Sequence, residues 1–222
     1  MKILKSKKFL LSLVLFAILY FLLSFIVAFS AFSIGEEIYE LSPSDFGISF
    51  EEIQIDSDNS YISTWWVPSS SETTVIMLHG LRSQKASPEM LEKIKIFNDI
   101  GLSVIAIDFR NHGSSGEGNF TFGIDEINDV YTAVNYFYEN KGLKSFGIWG
   151  FSYGATTALF AGLEFYNQTS NVELLGIFAE SPYLDLLEVF TDQVAYRTPL
   201  NKTMANLLKP GTIFLTNLLF DF

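Results

Sequence analysis

The sequence of 222 residues contains no cysteine and only two histidines, and both shortages limit its chemistry. Without cysteine there are no disulfides, no thiolate metal ligands and no cysteine nucleophile. The two histidines, His79 and His112, are too few for most zinc sites. We therefore expect neither a metal nor a cofactor.

Charge of either sign is missing from one long segment near the N-terminus. Residues Phe9–Ile34 carry no charged side chain and consist mainly of Leu, Phe, Ile, Val and Ala. A helix of about 20 apolar residues crosses a bilayer, so this segment predicts a transmembrane anchor. Lysines precede it at positions 2, 5, 7 and 8. By the positive-inside rule, the N-terminus is then cytoplasmic and the rest of the chain is extracytoplasmic.

A cleaved signal peptide is the alternative interpretation of this segment, with Ala28-Phe29-Ser30 as the cleavage site. Signal peptides have apolar stretches of about 7–15 residues, which is shorter than the run found here. We favour the uncleaved anchor and hence a single-pass membrane protein. Cleavage would instead give a secreted protein.

Basic residues are scarce in the remainder of the chain. Four of the 14 basic residues precede Ile34 and all 25 acidic residues follow it, which leaves 10 against 25 and a net charge of −15. Such a surface repels phosphate backbones and anionic headgroups. We therefore expect no nucleic-acid partner, and we expect membrane contact through the N-terminal helix.

The hydrophobic pattern divides the chain into four segments. They are the anchor at 1–34, a juxtamembrane connector at 35–48, a globular core at 49–185 and a C-terminal part at 186–222.

The core begins with two stretches of alternating or β-branched and aromatic residues, Phe50–Asp56 and Tyr61–Val67, on either side of the turn signal Asp58-Asn59. This pattern predicts an antiparallel hairpin at a sheet edge. The second stretch contains Trp65 and Trp66. We expect one of them to pack inward and the other to cap the edge.

Short apolar runs then alternate with helical patterns. The predicted strands are Val75–Leu78, Val104–Ile107, Lys144–Trp149 and Leu174–Ala179. The predicted helices are Pro88–Ile100, Ile124–Tyr138 and Ala155–Leu163. This alternation predicts an α/β fold with a mostly parallel sheet and helices on both faces, preceded by the transmembrane helix.

The core is organised around Gly150-Phe151-Ser152-Tyr153-Gly154, which joins a predicted strand to a predicted helix. A G-x-S-x-G sequence in this context is typical of a nucleophile elbow, which exposes a serine hydroxyl at the end of a sheet. The serine backbone is strained there. Glycines two residues to either side are needed because side chains would collide with the neighbouring strand and helix.

Two other strand ends carry polar motifs, His79-Gly80-Leu81 and Asp108–Ser115. Functional residues of a parallel sheet gather at the carboxyl ends of its strands. An oxyanion hole needs two backbone N–H groups directed at the developing negative charge. We expect Tyr153 to supply one of them and the loop at Leu81 to supply the other.

Together with Glu180-Ser181-Pro182-Tyr183 after the last strand, these motifs resemble the α/β-hydrolase superfamily in their order and spacing. The resemblance is greatest to its membrane-anchored bacterial branch of serine-aminopeptidase-like and esterase-like enzymes, and it covers about Asp45 to Asp185. It implies a serine hydrolase acting on an ester, thioester or amide of a small-molecule or acyl substrate. Ser152 would be the nucleophile, and Leu81 and Tyr153 the oxyanion donors.

The same resemblance assigns roles to other residues of the core. His79 and His112 would be structural residues that hold their loops by hydrogen bonds. Arg110 would brace its turn, and Arg82 would either be solvated, which we favour, or touch substrate. Residues 186–222 would be the start of a helical cap.

The sequence departs from the family pattern after Ser152, because no histidine follows it. A serine nucleophile needs a base, and the base needs an orienting carboxylate. In this fold the acid and then the histidine follow the serine. Three carboxylates are candidate acids by position: Glu180, Asp185 and Asp192. His79 or His112 would be the alternative base.

Three explanations remain open at this point. The chain is a truncated or split hydrolase, a complete inactive hydrolase-like binding or scaffold protein at the membrane, or one of two polypeptides that complete each other. We favour truncation, because Leu174–Ala179 would otherwise be an exposed apolar edge strand. The segment Thr212–Phe220 is also apolar enough to need a partner surface.

Overall fold

The structure is a computed structural model that describes residues 2–32, 38–57, 60–167, 171–197 and 200–220. The helices are α1 (Lys2–Phe32), α2 (Pro88–Asp99), α3 (Ile127–Lys141), α4 (Tyr153–Asn167), α5 (Leu186–Arg197) and α6 (Lys202–Phe220). The strands are β1 (Glu51–Ser57), β2 (Ser60–Val67), β3 (Thr73–Leu78), β4 (Ser103–Ile107), β5 (Ser145–Phe151) and β6 (Glu173–Glu180). The predicted turn at 58–59 and the first part of the connector, 35–37, lie outside the described residues.

The chain divides into two compact units, each of which we describe by itself. Gly35–Leu184 forms one unit, here called the sheet domain. Met1–Ile34 and Asp185–Phe222 form the other, here called the helical unit. The role of 186–222 as a cap stays a prediction.

Within the described residues, the sheet domain contains one sheet of six strands in the order β1-β2-β4-β3-β5-β6. The pairs β1–β2 and β2–β4 are antiparallel, and β4–β3, β3–β5 and β5–β6 are parallel. The predicted mostly parallel α/β architecture is therefore confirmed, with the hairpin at one edge. Strand β6 forms the other edge of the described sheet, and Leu175 and Phe178 on it are exposed.

Helices cover both faces of the sheet because the parallel strands are apolar on both sides. One face packs against α2 through Met90, Leu91 and Ile94. The other face packs against α3 and α4, with Phe137 and Phe165 in its core. This two-sided burial accounts for the continuous apolar runs of the central strands.

The expectation for the two tryptophans was wrong. Trp65 and Trp66 are both buried, on opposite faces of the sheet. Trp66 packs on Phe137 of α3, with 5.3 Å between ring centroids, and Trp65 lies on the α2 face. Because β2 lies between β1 and β4 and is not an edge strand, both of its faces are covered.

Helix α3 begins three residues later than predicted. Glu126, expected within its acidic first turn, is fully buried and precedes the helix. Its carboxylate accepts hydrogen bonds from the N–H groups of Thr121 and Gly123 and from the Thr121 hydroxyl. The carboxylate therefore organises the loop before the helix, which delays the start of regular helical hydrogen bonding.

In the helical unit, α1 contains a span, Lys7–Phe29, that is long and apolar enough to cross a membrane, with a mean hydropathy of 2.8. Helix α6 packs on α1 and α5. Helix α1 therefore provides part of the partner surface expected for Thr212–Phe220, while Ile213, Phe214 and Leu218 stay exposed. Pro210 lies inside α6 without ending it.

Candidate active site

Ser152 lies between the end of β5 and the start of α4, with a left-handed backbone (φ 52°). This conformation is strained for a residue other than glycine. The Ser152 N–H donates to the carbonyl of Glu180 at 2.8 Å, and its carbonyl accepts from the Thr156 N–H at 3.1 Å. The reversal of the chain at Ser152 is thus fixed from both sides by backbone hydrogen bonds.

The two glycines of the motif are required by close approach. A Cβ atom on Gly150 would overlap the carbonyl group of Gly154. One on Gly154 would overlap the carbonyl oxygens of Leu78 and His79 at the end of β3. The predicted reason for both glycines is confirmed, since only a bare backbone lets α4 start this close to the neighbouring strand.

The sheet register brings the loop after β3 beside Ser152. Leu78 pairs with Gly150 in the parallel ladder, so the residues that follow each strand leave the sheet side by side. Tyr153 is the first residue of α4, where helix N–H groups lack an intrahelical acceptor. The backbone N–H groups of Leu81 and Tyr153 are without an acceptor in the described structure.

Both histidines lie at this end of the sheet and are buried, but their ring nitrogens have backbone partners. His79 Nδ1 contacts the Gly80 carbonyl at 2.8 Å, and its Nε2 accepts from the Phe109 N–H at 3.1 Å. His112 Nδ1 contacts the Arg110 carbonyl at 2.9 Å, and its Nε2 accepts from the Arg82 N–H at 3.4 Å. Each ring therefore ties two loops together through contacts of both its nitrogens with backbone groups, as the resemblance implied.

His79 is also a poor proton acceptor for electrostatic reasons. Complete burial, with a smaller contribution from the neighbouring His112, lowers its pKa from 6.5 to about 3. Its Nε2 lone pair is directed at a backbone N–H, so protonation would also break a hydrogen bond. The alternative of His79 as general base is therefore disfavoured.

A buried ion pair that the sequence analysis did not identify connects the loops after β3 and β4. Lys85 Nζ lies 2.5 Å from Asp108 Oδ2 and 2.8 Å from Ser63 Oγ, and both charged side chains are almost fully buried. Asp108 also accepts from the N–H groups of Lys85 (2.7 Å) and Ser114 (2.9 Å). The pair fixes the loop that carries Leu81. A lysine five residues after the His79-Gly80 motif gave no recognisable signal by itself.

Arg110 braces its turn, as expected, and its partner is on α3. Its guanidinium lies against Asp129 with contacts of 2.6 and 3.0 Å, and its backbone N–H donates to the same carboxylate at 3.0 Å. Arg82, expected to be solvated, is only half-buried, has a left-handed backbone (φ 63°) and makes at least one polar contact.

None of the three candidate acids is combined with a histidine in the described structure. The Glu180 side chain lies 3.5 Å from Lys93 Nζ. Asp185 caps the start of α5 by accepting from the Glu188 N–H at 3.0 Å. Asp192 pairs with Lys202 at 2.7 Å. Each carboxylate therefore has a local structural partner.

A separate cleft of about 270 Å³ lies between the β1–β2 hairpin and the loop after β4. Its lining includes Ser60, Tyr61, Arg110 and Asn119. Ser152 is not part of this lining, so we place the candidate active site at the elbow and not in the cleft.

Comparison with known proteins identifies a family that this chain matches. Residues 73–203 match the family model described as the alpha/beta hydrolase fold. An uncharacterized protein of Bacillus subtilis strain 168, YqkD, is 29% identical over 140 residues, which are 59% of this chain and 40% of YqkD. The matched stretch is therefore less than half of that relative's length.

Solved structures with a similar fold include esterases. A Pyrococcus furiosus esterase, Pf2001, aligns with a TM-score of 0.67 and 28% identity, over 80% of this chain and 67% of the esterase. Est1E of Butyrivibrio proteoclasticus, solved with ferulic acid bound, aligns with a TM-score of 0.53 and 14% identity, over 72% of this chain and 70% of Est1E. The second likeness shows the fold alone.

Proposed function

The chain belongs to the α/β-hydrolase fold family, and we propose that it is a serine hydrolase that cleaves an ester, thioester or amide through an acyl-enzyme on Ser152. The observation that carries this proposal is the left-handed Ser152 at the turn between β5 and α4. The likeness to the Pyrococcus esterase supports an ester as the substrate class.

The proposed reaction begins with attack of Ser152 Oγ on the substrate carbonyl carbon while the hydroxyl proton passes to a base. The negative charge on the carbonyl oxygen is stabilised by the N–H groups of Leu81 and Tyr153. The leaving group departs with a proton, and water then hydrolyses the acyl-enzyme. Because both histidines are held by backbone partners, neither His79 nor His112 supplies the base in this arrangement.

We propose further that α1 anchors the protein in a membrane. Its span of 23 residues would be about 34 Å long as a helix, which matches the roughly 30 Å hydrocarbon core of a bilayer. The four lysines at the N-terminal end of α1, at positions 2, 5, 7 and 8, favour a cytoplasmic N-terminus and an extracytoplasmic hydrolase.

The second candidate function is a catalytically inactive, hydrolase-like binding or scaffold protein at the membrane. The observation that favours it is the hydrogen bonding of all four histidine ring nitrogens to backbone groups. A serine without a base keeps the elbow as architecture but does not turn over substrate at an enzymatic rate.

One experiment separates the two functions. The full chain in detergent is treated with a fluorophosphonate probe and assayed with short-chain p-nitrophenyl esters. A hydrolase is labelled, turns over ester, and loses both activities in Ser152→Ala but not in the matched control Ser70→Ala, which removes an exposed hydroxyl from a loop. Absence of labelling and of turnover at every pH tested would favour the inactive binding protein.

A further inference from the structure

Helix α6 pairs with the candidate membrane span of α1 in an antiparallel orientation. Ser24 Oγ donates to the Leu208 carbonyl at 3.5 Å, and the Gly211 N–H donates to the Tyr20 hydroxyl at 2.9 Å. The rings of Phe21 and Phe214 are 6.2 Å apart between centroids. Residues later in α6 contact residues earlier in α1. Helix α6 therefore begins near the Phe29 end of α1 and runs antiparallel to it.

The two helices approach each other closely because a glycine, Gly211, lies at the centre of their contact. A Cβ atom on Gly211 would overlap the Ser24 hydroxyl and the Tyr20 ring. Small residues and interhelical hydrogen bonds from polar side chains such as Ser are typical of helix pairs in lipid, where no hydrophobic effect drives association. The Tyr20 hydroxyl also provides an acceptor for a backbone N–H next to Pro210, a position where a helix loses regular hydrogen bonding.

The pairing fixes the depth of α6 relative to α1. At about 1.5 Å per residue, Phe21 lies about 12 Å along α1 from Phe29. Phe214 lies beside Phe21, and Leu218 is a further turn, about 6 Å, in the same direction. If α1 crosses a bilayer, Phe214 and Leu218 are therefore at the level of acyl chains.

The outward face of α6 is apolar. Leu207, Phe214 and Leu218 are 67%, 57% and 66% exposed, and Met204 and Ile213 are also exposed. Helix α6 contains no acidic residue. A continuous exposed stripe of this kind is unusual on a water-soluble surface.

Four charged or amide side chains of α6 oppose insertion, namely Lys202, Asn206, Lys209 and Asn217. Lys202 and the exposed Asn206 lie in the first two turns of α6, nearest the Phe29 end of α1. Lys209 lies in a crevice with Val27 and Thr191, and its long side chain is able to extend toward the interface. Asn217 is exposed on the outward face. An amide is far less costly to insert than a charge.

From these contacts we propose that α6 is a membrane-inserted helix, which lies beside the Phe29 half of α1 and presents its outward face to lipid acyl chains. The proposal goes beyond hydrolysis and rests on the anchoring role of α1. In this arrangement the outward face of α6 is surrounded by lipid and not by water. The C-terminal segment is then part of the membrane anchor.

The lack of native cysteine allows a direct test, since each introduced thiol is then unique. The full chain carries one cysteine, labelled with an environment-sensitive fluorophore, and is reconstituted into phosphatidylcholine vesicles with a minority of phosphatidylglycerol. Leu218→Cys tests α6. Phe16→Cys, on an exposed position of the α1 span, is the lipid reference, and Ser70→Cys in the sheet domain is the water reference.

We expect the Leu218 probe to lose most of its fluorescence to nitroxides on acyl chains and little to aqueous iodide, as the Phe16 probe does, with the Ser70 probe showing the reverse. Iodide quenching at Leu218 equal to that at Ser70 would overturn the proposal by placing α6 in water. Protection of Leu218 from both quenchers would overturn it by showing that protein, including a second copy of this chain, covers the helix. A Phe16 probe quenched by iodide would overturn it together with the anchoring role of α1, whereas ester hydrolysis would be unaffected by that result.

Discussion

Lowering the pH from 8 to 5 is expected to destabilise the sheet domain by about 2 kcal/mol through one side chain, His79. Burial holds the pKa of His79 at about 3 in the folded protein, against 6.5 for an exposed histidine. Between these values the unfolded chain binds a proton that the folded chain does not. The stability present above pH 6.5 is therefore lost as the pH falls toward 3.

The magnitude follows from the two pKa values. Well below pH 6.5 each unit of pH removes about 1.4 kcal/mol, and at pH 5 the sum is about 2 kcal/mol. His112 and Lys85 oppose the charged form of His79, and Asp108 favours it. Burial is the largest effect, so the direction does not depend on the balance of these neighbours.

The assay is urea unfolding of the full chain in detergent at pH values from 8 to 5, followed by tryptophan fluorescence. All three tryptophans lie in β2 and β5, so the signal reports the sheet domain. His79→Gln should be less stable at pH 8, because its contacts to Gly80 and Phe109 are altered. Its free energy of unfolding should, however, lack the dependence of about 1.4 kcal/mol per pH unit that is expected of the wild type. The His112→Gln control retains His79 and should keep that dependence.

Two results would refute the reasoning about His79. One is an identical pH dependence of stability in the wild type and in His79→Gln. The other is an NMR signal of the His79 ring that titrates near pH 6.5 in the folded protein. Either would mean that the ring is accessible to protons, which would restore it as a candidate base.

Three further predictions use the same unfolding assay. Lys85→Met should lower the free energy of unfolding by about 3–5 kcal/mol, because Asp108 is then buried without its partner. Combining Lys85→Met with Asp108→Asn should recover part of this loss. Equal losses in the single and double variants would contradict the ion pair. Gly154→Ala should cost about 1–3 kcal/mol because its Cβ overlaps the end of β3, and a cost near zero would mean that α4 moves freely. Arg110→Gln should cost about 2 kcal/mol by removing charge-assisted hydrogen bonds to Asp129, whereas a loss as small as that of a surface substitution would show that the turn is held by other contacts.

The sequence predicted the succession of strands and helices along the core of the chain, because each element depends on a local pattern of residues. Continuous apolar runs indicated strands buried on both faces, and G-x-S-x-G between a strand and a helix indicated the turn at Ser152. The left-handed φ of Ser152 and the space around Gly150 and Gly154 agree with that prediction. The catalytic roles of Ser152, Leu81 and Tyr153 remain predictions.

The errors came from contacts that no local pattern encodes. Trp65 and Trp66 are both buried because β2 is inserted between β1 and β4, which a hairpin motif does not reveal. The start of α3 shifted because the Glu126 carboxylate binds the preceding loop. A helical pattern includes such a residue in the first turn, since acidic residues favour helix N-termini.

By itself, the sequence determined the apolar span, the alternation of strands and helices, and the position of the elbow. These follow from composition and periodicity within short windows. Only the tertiary structure decided which side chains have partners. Lys85 meets Asp108 23 positions away, and Tyr20 meets Gly211 191 positions away. Such pairs form only after strands and helices have docked, because side chains remote in the sequence come within contact distance only when the backbone between them is folded.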